Sequence, residues 1–267
     1  MAIFRLTESQ PTFFVLPDEN DERSAAALAS ILTTHDIPFH IFADDFQEEL
    51  EPFADHILDD ISSAPFRPQF VIDCTLVPIP TPNPYVLEIA ALYPSIPLLA
   101  ATPNFTAAQL SAFFELKNVA RLNLLPGLFP AIQNVECTFS PAMSLEVRSQ
   151  IVMFFRDHLR LRLETIEDIV GFVVPRVLAM LANEGAFAVM EGVSSAAEID
   201  EAMRLGTNYP KGPLEWADHI GLDVILSLLD ALFHEYKQER YRACRLLRQY
   251  VAAGWTGERA GKGFYAY

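Results

Sequence analysis

Residues 12–45 read TFFVLPDENDERSAAALASILTTHDIPFHIFADD, and the interpretation of this stretch decides the fold. Thr12 to Leu16 is a short apolar run of the kind that fills a buried strand. Arg23 to Thr34 is rich in alanine and leucine with helical spacing. Phe39 to Ala43 is a second apolar run, ending at Asp44-Asp45. Strand, helix and strand within about 30 residues make a βαβ unit. The turn between the first strand and the helix is Pro17-Asp18-Glu19-Asn20-Asp21-Glu22, and no glycine occurs from Leu16 to Ala27.

The same alternation continues outward. Phe70–Thr75 reads as a strand, Pro84–Leu92 as a helix opening with proline, and Leu98–Ala101 as a strand. Thr106 and Gln109 form a capping box for the next helix. Strands follow near Ala120–Leu124, Val135–Phe139 and Leu159–Leu163, with a helix over Ser144–Arg156. This pattern predicts an α/β domain with a Rossmann-like, doubly wound, mostly parallel sheet over residues 1–164. The Pro-rich stretch Pro78–Pro84 is expected to be a rigid loop at the carboxyl edge of that sheet. Beyond Glu164 only helical periodicity remains: Ile169–Met190, Glu198–Leu205, Leu222–Tyr236 and Tyr241–Ala253. Ser195 and Glu198 make a second capping box, and Gly206 is expected to end that helix. Residues 165–267 are therefore expected to form an all-α C-terminal domain.

Composition narrows the function. The chain has 267 residues, is 51% hydrophobic and carries a formal net charge of −16. Residues 1–100 hold 16 acidic and 3 basic side chains, and residues 101–267 hold 19 and 16. Nucleic-acid binding needs clustered Lys and Arg, so it is excluded as a class. No uncharged apolar run is long enough to span a membrane, and Met1–Arg5 does not open a secretory signal. Cys74, Cys137 and Cys244 are scattered and odd in number, which suggests reduced thiols in a cytoplasmic protein. The six histidines show no metal-ligand spacing, so no metal site is expected.

The C-terminal part carries a specific set of motifs. Glu198-Ile199-Asp200 precedes Ala202-Met203. Gly206-Thr207-Asn208-Tyr209-Pro210-Lys211-Gly212-Pro213-Leu214-Glu215-Trp216 precedes Ile220-Gly221-Leu222-Asp223. The chain closes on Gly254-Trp255-Thr256-Gly257 and Gly261-Lys262-Gly263-Phe264-Tyr265. This closely resembles the C-terminal domain of the 3-hydroxyacyl-CoA dehydrogenases. The resemblance implies an N-terminal NAD-binding domain and oxidation of a 3-hydroxyacyl-CoA, as in fatty acid metabolism. It also implies a helical domain that forms a homodimer interface and one wall of a substrate cleft.

The family's chemistry can then be checked position by position. Hydride transfer to NAD from a secondary alcohol needs a base for the hydroxyl proton, and histidine suits it. The family's His-Phe-Phe-Asn-Pro and following Val-Glu resemble Leu124 to Glu136 here. Glu136 takes the position of the glutamate that polarises the histidine, and is the catalytic candidate. Leu124 stands at the histidine and Gly127 at the motif asparagine. Asn104 falls where the family has its substrate-binding serine, and Pro175 where it has a substrate-binding asparagine. Asp44, after the second strand, matches the ribose-binding acid of the cofactor pattern. The glycine-free turn offers Asp18, Glu19, Asp21 and Glu22 where amides should approach pyrophosphate. Those acids also suit the dipole of a helix N-terminus. His40, His219 and His234 remain as substitute bases.

Two readings follow. One is a 3-hydroxyacyl-CoA dehydrogenase-like protein impaired in, or without, NAD-dependent oxidation, which binds acyl-CoA or joins a homodimer or heteromer through its helical domain. The other is an active oxidoreductase on the same substrate type with a rewired site and NAD as cofactor.

Overall fold

The computed structural model of the chain describes residues 12–46, 48–77, 83–131 and 134–267. It divides into two compact units, Met1–Ile169 and Val170–Tyr267. Most of the Pro78–Pro84 loop and the first eleven residues lie outside the described residues.

In the first unit, β1 (Phe13–Leu16), α1 (Arg23–Thr34) and β2 (Phe39–Phe42) form the βαβ unit read from the sequence. β3 (Ile57–Leu58), β4 (Phe70–Asp73), α2 (Pro84–Leu92), β5 (Leu98–Ala100), α3 (Ala107–Phe113) and β6 (Val119–Leu122) follow. β7 (Asn134–Phe139), α4 (Leu145–His158) and β8 (Arg162–Thr165) complete it. Among the described residues the strands make one eight-stranded sheet in the order β3-β2-β1-β4-β5-β6-β7-β8. Every pairing is parallel except β6 with β7, where Ala120 faces Phe139. The expected fold class is thus observed. β1 is fully buried because it is central, and its Phe13 stacks on Phe70 of β4 at 5.2 Å between ring centroids. A strand covered on both faces needs an unbroken apolar run, which FFVL supplies.

Local chemistry sets most element ends. The Thr106–Gln109 capping box opens α3 as expected. β8 starts later than read because α4 continues to His158 and the chain turns through Arg160 at φ 57°. A buried polar knot ties the end of the first unit together. The Asp168 carboxylate accepts hydrogen bonds from Ala107 N (2.7 Å), Ala108 N (2.9 Å) and Thr138 Oγ1 (2.9 Å). It also lies 3.6 Å from Arg121, a guanidinium with no exposed surface. Burial pulls Arg121 down to about 10, which still leaves it charged at neutral pH.

The second unit is helical: α5 (Val174–Met190), α6 (Ala196–Thr207), α7 (Pro213–Ile220), α8 (Leu222–Tyr236) and α9 (Arg245–Ala252). α5 begins five residues later than read, because Gly171 (φ 92°) and Phe172 (φ 49°) turn the chain just before it. The Ser195–Glu198 capping box forms as expected. Gly206 does not end α6: it sits in the last turn, and Asn208 in the left-handed region at φ 57° is the cap. α7 is a helix that the motif concealed, opened by Pro213 and closed by Gly221 at φ 121°. Among the described residues no helix is long and apolar enough to cross a membrane.

Candidate functional site

In doubly wound sheets, ligands sit outside the carboxyl ends of the strands. At that edge the turn after β1 is filled by its own carboxylates. Asp18, 2% exposed, accepts Asn20 N (2.9 Å) on Oδ1 and Leu76 N (2.8 Å) on Oδ2. Burial raises its pKa above the usual carboxylate value. Asp21, also buried, accepts the Arg23 backbone N–H and, from the guanidinium, Nε at 2.9 Å and Nη2 at 2.7 Å. Glu22 is the residue before α1 and is 3% exposed. The cofactor implied by the resemblance has a pyrophosphate that needs free amides and a glycine backbone at this turn. These residues do not fit it. The Leu76 and Asn20 amides already bind Asp18, and carboxylates stand where phosphate charge would come.

The end of β4 adds another buried acid. Asp73 accepts both Thr75 N (3.1 Å) and Thr75 Oγ1 (2.7 Å) on its Oδ1. Burial pushes its pKa up to about 6, with Asp18 adding repulsion. An acid whose folded pKa is raised gives stability that is complete below the unfolded value, near 4, and lost as pH rises through the folded value. Asp73→Asn keeps the accepting Oδ1 and removes the charge. It is expected to stabilise the protein by about 2–3 kcal/mol at pH 7, and by little at pH 4. Urea titrations of both proteins at the two pH values check this. Equal stability of the two at pH 7 would contradict it.

Asp44 lies just past β2, exposed, and its Oδ1 accepts the Tyr85 hydroxyl at 2.6 Å. It lines a cleft of about 250 Å³ with Glu19, Glu22, Asp45, Phe42 and Tyr85 among the walls. Tyr85 lies in the first turn of α2, where the Asn83 side chain accepts its backbone N–H at 3.0 Å.

Asn104 follows β5 and is 5% exposed. Its Nδ2 donates to Leu76 O (3.2 Å), and Thr102 Oγ1 lies 3.3 Å from the same carbonyl. The N–H and C=O of Leu76 therefore connect Asp18 and Asn104 through one residue's backbone. Glu136 lies on β7, half-buried, and its Oε2 accepts Asn123 Nδ2 at 3.0 Å. Asn123 is thus a residue that meets Glu136. Leu124, the position matched to the histidine by counting, is 2% exposed, and its carbonyl accepts Ser24 Oγ at 2.6 Å. Asn123 and Leu124 are adjacent in sequence, and the contact with Glu136 is made by Asn123. A carboxamide has no basic nitrogen, so the Asn123–Glu136 pair cannot take a hydroxyl proton as an imidazole–carboxylate pair would.

Asp44, Asn104 and Glu136 are each engaged by a different partner: Tyr85, Leu76 and Asn123. Of the substitute bases, His40 stacks on Phe66 at 4.8 Å and its Nδ1 faces His56 O, a packing role on β2. His219 Nδ1 contacts the Glu258 carboxylate within the second unit, and His234 lies in the last turn of α8. Among the described residues no cluster of His, Cys, Asp and Glu could hold a metal ion.

The glycines of the C-terminal motifs have a structural purpose. Asp200 on α6 accepts Leu214 N and Glu215 N at 2.8 Å each, capping α7, and also the Tyr265 hydroxyl at 2.7 Å. Asp218 on α7 accepts Phe264 N and Tyr265 N at 2.9 Å each. A Cβ at Gly212 would lie 2.2 Å from Asp200 Cβ, and one at Gly263 2.1 Å from Asp218 Oδ1. The motif spacing is the geometry of two buried aspartates holding the chain end.

Residues 171–267 match the family model described as "3-hydroxyacyl-CoA dehydrogenase, C-terminal domain". The chain is similar to a probable 3-hydroxybutyryl-CoA dehydrogenase of Bacillus subtilis (strain 168), 49% identical over 102 residues, which is 38% of this chain and 36% of that protein. A 3-hydroxyadipyl-CoA dehydrogenase of Escherichia coli (strain K12) is 51% identical over 84 residues, 32% of this chain and 18% of that protein. The chain thus matches about a third or less of the length of these relatives. The fold extends further. The structure of FadB2 from M. tuberculosis superposes with a TM-score of 0.82 at 19% identity, covering 97% of this chain and 100% of that one. That of (S)-3-hydroxybutyryl-CoA dehydrogenase PaaH1 from Ralstonia eutropha gives 0.71 at 23% identity, covering 97% and 99%.

Proposed function

We propose that this chain, whose residues 171–267 match the C-terminal domain of the 3-hydroxyacyl-CoA dehydrogenases, has lost hydride transfer and serves as a binding or partner subunit. The observation that carries this reading is the turn after β1, where Asp18 takes the amides of Asn20 and Leu76. Two independent features support it. Asn123, with no basic atom, donates a hydrogen bond to Glu136. Pro175 lies in the first turn of α5, where the family's asparagine side chain would be needed.

In this reading no proton leaves a substrate hydroxyl through Glu136. Its carboxylate holds Asn123, and that pair fixes the loop after β6. NAD, when bound by the family, supplies the hydride acceptor; in this chain Asp44 would be the residue left to meet its ribose, beside a turn that repels its phosphates. The ligand retained would be an acyl-CoA. The helical unit would join two copies, or one copy and a catalytic relative. Val174 and Val177 on α5 are exposed, as an apolar joining surface requires. The three cysteines are buried and unpaired, which suits the reducing cytoplasm.

The test is turnover. Purified protein with NADH and acetoacetyl-CoA is expected to show no enzyme-dependent loss of NADH absorbance. Turnover at about 1 s⁻¹ or more, within the ordinary range of enzymes, would establish the rewired oxidoreductase instead.

A further inference from the structure

The second unit holds a local reversal of the chain's acidic character. Residues 235–248 carry Lys237, Arg240, Arg242, Arg245 and Arg248 against Glu235 and Glu239, a net charge of +3 in a chain of −16. Two of these cations are matched: Arg242 meets Glu239 at 3.3 Å, and Arg248 Nη1 meets Asp230 at 3.0 Å. Among the described residues no carboxylate pairs with Lys237, Arg240 or Arg245, and all three are exposed. Arg176 of α5 brings a further guanidinium without a carboxylate to the same place. Its Cζ lies 4.8 Å from the Tyr236 ring centroid and 5.8 Å from that of Tyr241. Arg240 Cζ lies 4.7 Å from the Tyr241 centroid. Two guanidinium groups thus share one tyrosine ring, and Lys237 directly follows the other tyrosine. Arg176 Nη2 donates to Val170 O and to the Tyr236 hydroxyl at 2.8 Å each, while its Nε is buried and meets no acceptor. Neutral oxygens and ring faces orient this guanidinium without cancelling its charge.

The segment that carries these groups is held in place. Lys237 caps α8 at φ 52°, and Glu239–Tyr241 form one 3-10 turn whose Tyr241 is buried. Asn183 of α5, also buried, donates from Nδ2 to Arg242 O (3.0 Å) and accepts Cys244 N on Oδ1 (2.7 Å). Cations set on a fixed backbone lose less freedom on binding than cations on a free loop. The charge distribution selects the size of the partner. A nucleic acid or an acidic protein would extend beyond the patch by more than the Debye length, about 8 Å at physiological salt, onto a chain of strongly negative charge. A compact anion meets the patch alone. The mixture of side chains selects phosphate, because the arginine fork pairs with two of its oxygens and lysine adds a point charge. A phosphomonoester carries about −1.5 to −2 at pH 7 and three acceptor oxygens, so it answers several cations at once.

We propose that Arg176, Lys237 and Arg240, around the Tyr236–Tyr241 pair, form a binding site for a phosphomonoester group. The terminal phosphate of a nucleotide and the 3′-phosphate of coenzyme A are its two sources. The site lies wholly in the second unit and does not depend on the loss of hydride transfer.

The probes are ADP, coenzyme A and 3′-dephospho-coenzyme A, titrated by calorimetry into the whole chain at low salt. Saturable one-site binding is expected for ADP, for coenzyme A or for both, and which of them binds identifies the source. Dephospho-coenzyme A has only a diphosphate diester, and should bind about tenfold or more weakly than the better of the two. The double variant Lys237→Gln/Arg240→Gln changes two exposed side chains, so the fold should persist. It is expected to weaken binding about tenfold or more, and 0.5 M salt should weaken it as well. Arg156→Gln/Arg162→Gln removes the same charge from exposed positions of the first unit and should leave binding unchanged. Absence of saturable binding by both ADP and coenzyme A would overturn the proposal. Dephospho-coenzyme A bound as tightly as the better of the two, or an equal effect of the two double variants, would overturn it as well.

Discussion

Asp168→Ala is expected to destabilise the first unit by about 3–5 kcal/mol, the range for removing one partner of a buried ion pair. The carboxylate stabilises three separate groups. It accepts the Ala107 and Ala108 amides at the start of α3, and it accepts the Thr138 hydroxyl from β7. Its negative charge also offsets that of Arg121, which is fully buried and holds Thr102 O and Ile169 O through Nε and Nη1. Alanine at 168 takes that carboxylate away from the guanidinium and the acceptor away from two helix amides. Asp168→Asn should cost nearly as much, since its amide group would turn a donor toward donors. Urea unfolding followed by far-UV circular dichroism measures the loss. A cost below 1 kcal/mol for Asp168→Ala would show that Arg121 is held by other groups.

Gly212→Ala and Gly263→Ala are expected to cost about 3 kcal/mol or more each. Overpacking a closed core costs about 1–3 kcal/mol, and a displaced acceptor that leaves buried amides unmet costs about 1–3 more. The new methyl at 212 would overlap Asp200, which caps α7; the one at 263 would overlap Asp218, which holds Phe264 and Tyr265. Both aspartates are 1% exposed, so neither can swing into water without opening the core. Gly206→Ala is the matched control: nothing lies within 4 Å of its added Cβ, and it sits inside α6. It should stabilise by about 0.5–1 kcal/mol through helix propensity. Trp216 and Trp255 are the chain's two tryptophans and both lie in this unit, so their fluorescence reports its unfolding separately. If Gly206→Ala and Gly212→Ala behaved alike, the packing account of the motif would fail.

The architecture was legible where local and tertiary demands agree. The bounds of α1 and α8 coincide with the sequence reading, and both capping boxes form, because capping is decided within four residues. The ends that moved are those set by backbone conformation. Arg160, Phe172 and Asn208 each take positive φ, which side-chain periodicity does not encode. α7 was hidden because its residues were read as a motif, although Pro213 and Gly221 bracket it.

The site was legible as a set of losses and not as a set of contacts. The missing glycines and the missing histidine can be read from the letters alone. That Asp18 seats itself on the Leu76 amide, 58 positions away in sequence, cannot. Nor can the pairing of Asn123 with Glu136, since it joins the residue after β6 to β7 across 13 positions. Asp200 and Asp218 were invisible for the same reason: their partners come from segments distant along the chain.

The account stands most directly on the turn after β1, and direct NADH binding tests it. NADH fluorescence would be titrated with the whole protein at moderate salt, to millimolar concentration. No saturable enhancement or shift is predicted, because Asp18 already holds the amides of that turn and no glycine lets the backbone approach a phosphate. Saturable one-site binding at micromolar concentration would contradict the claim and return the protein to the active dehydrogenases.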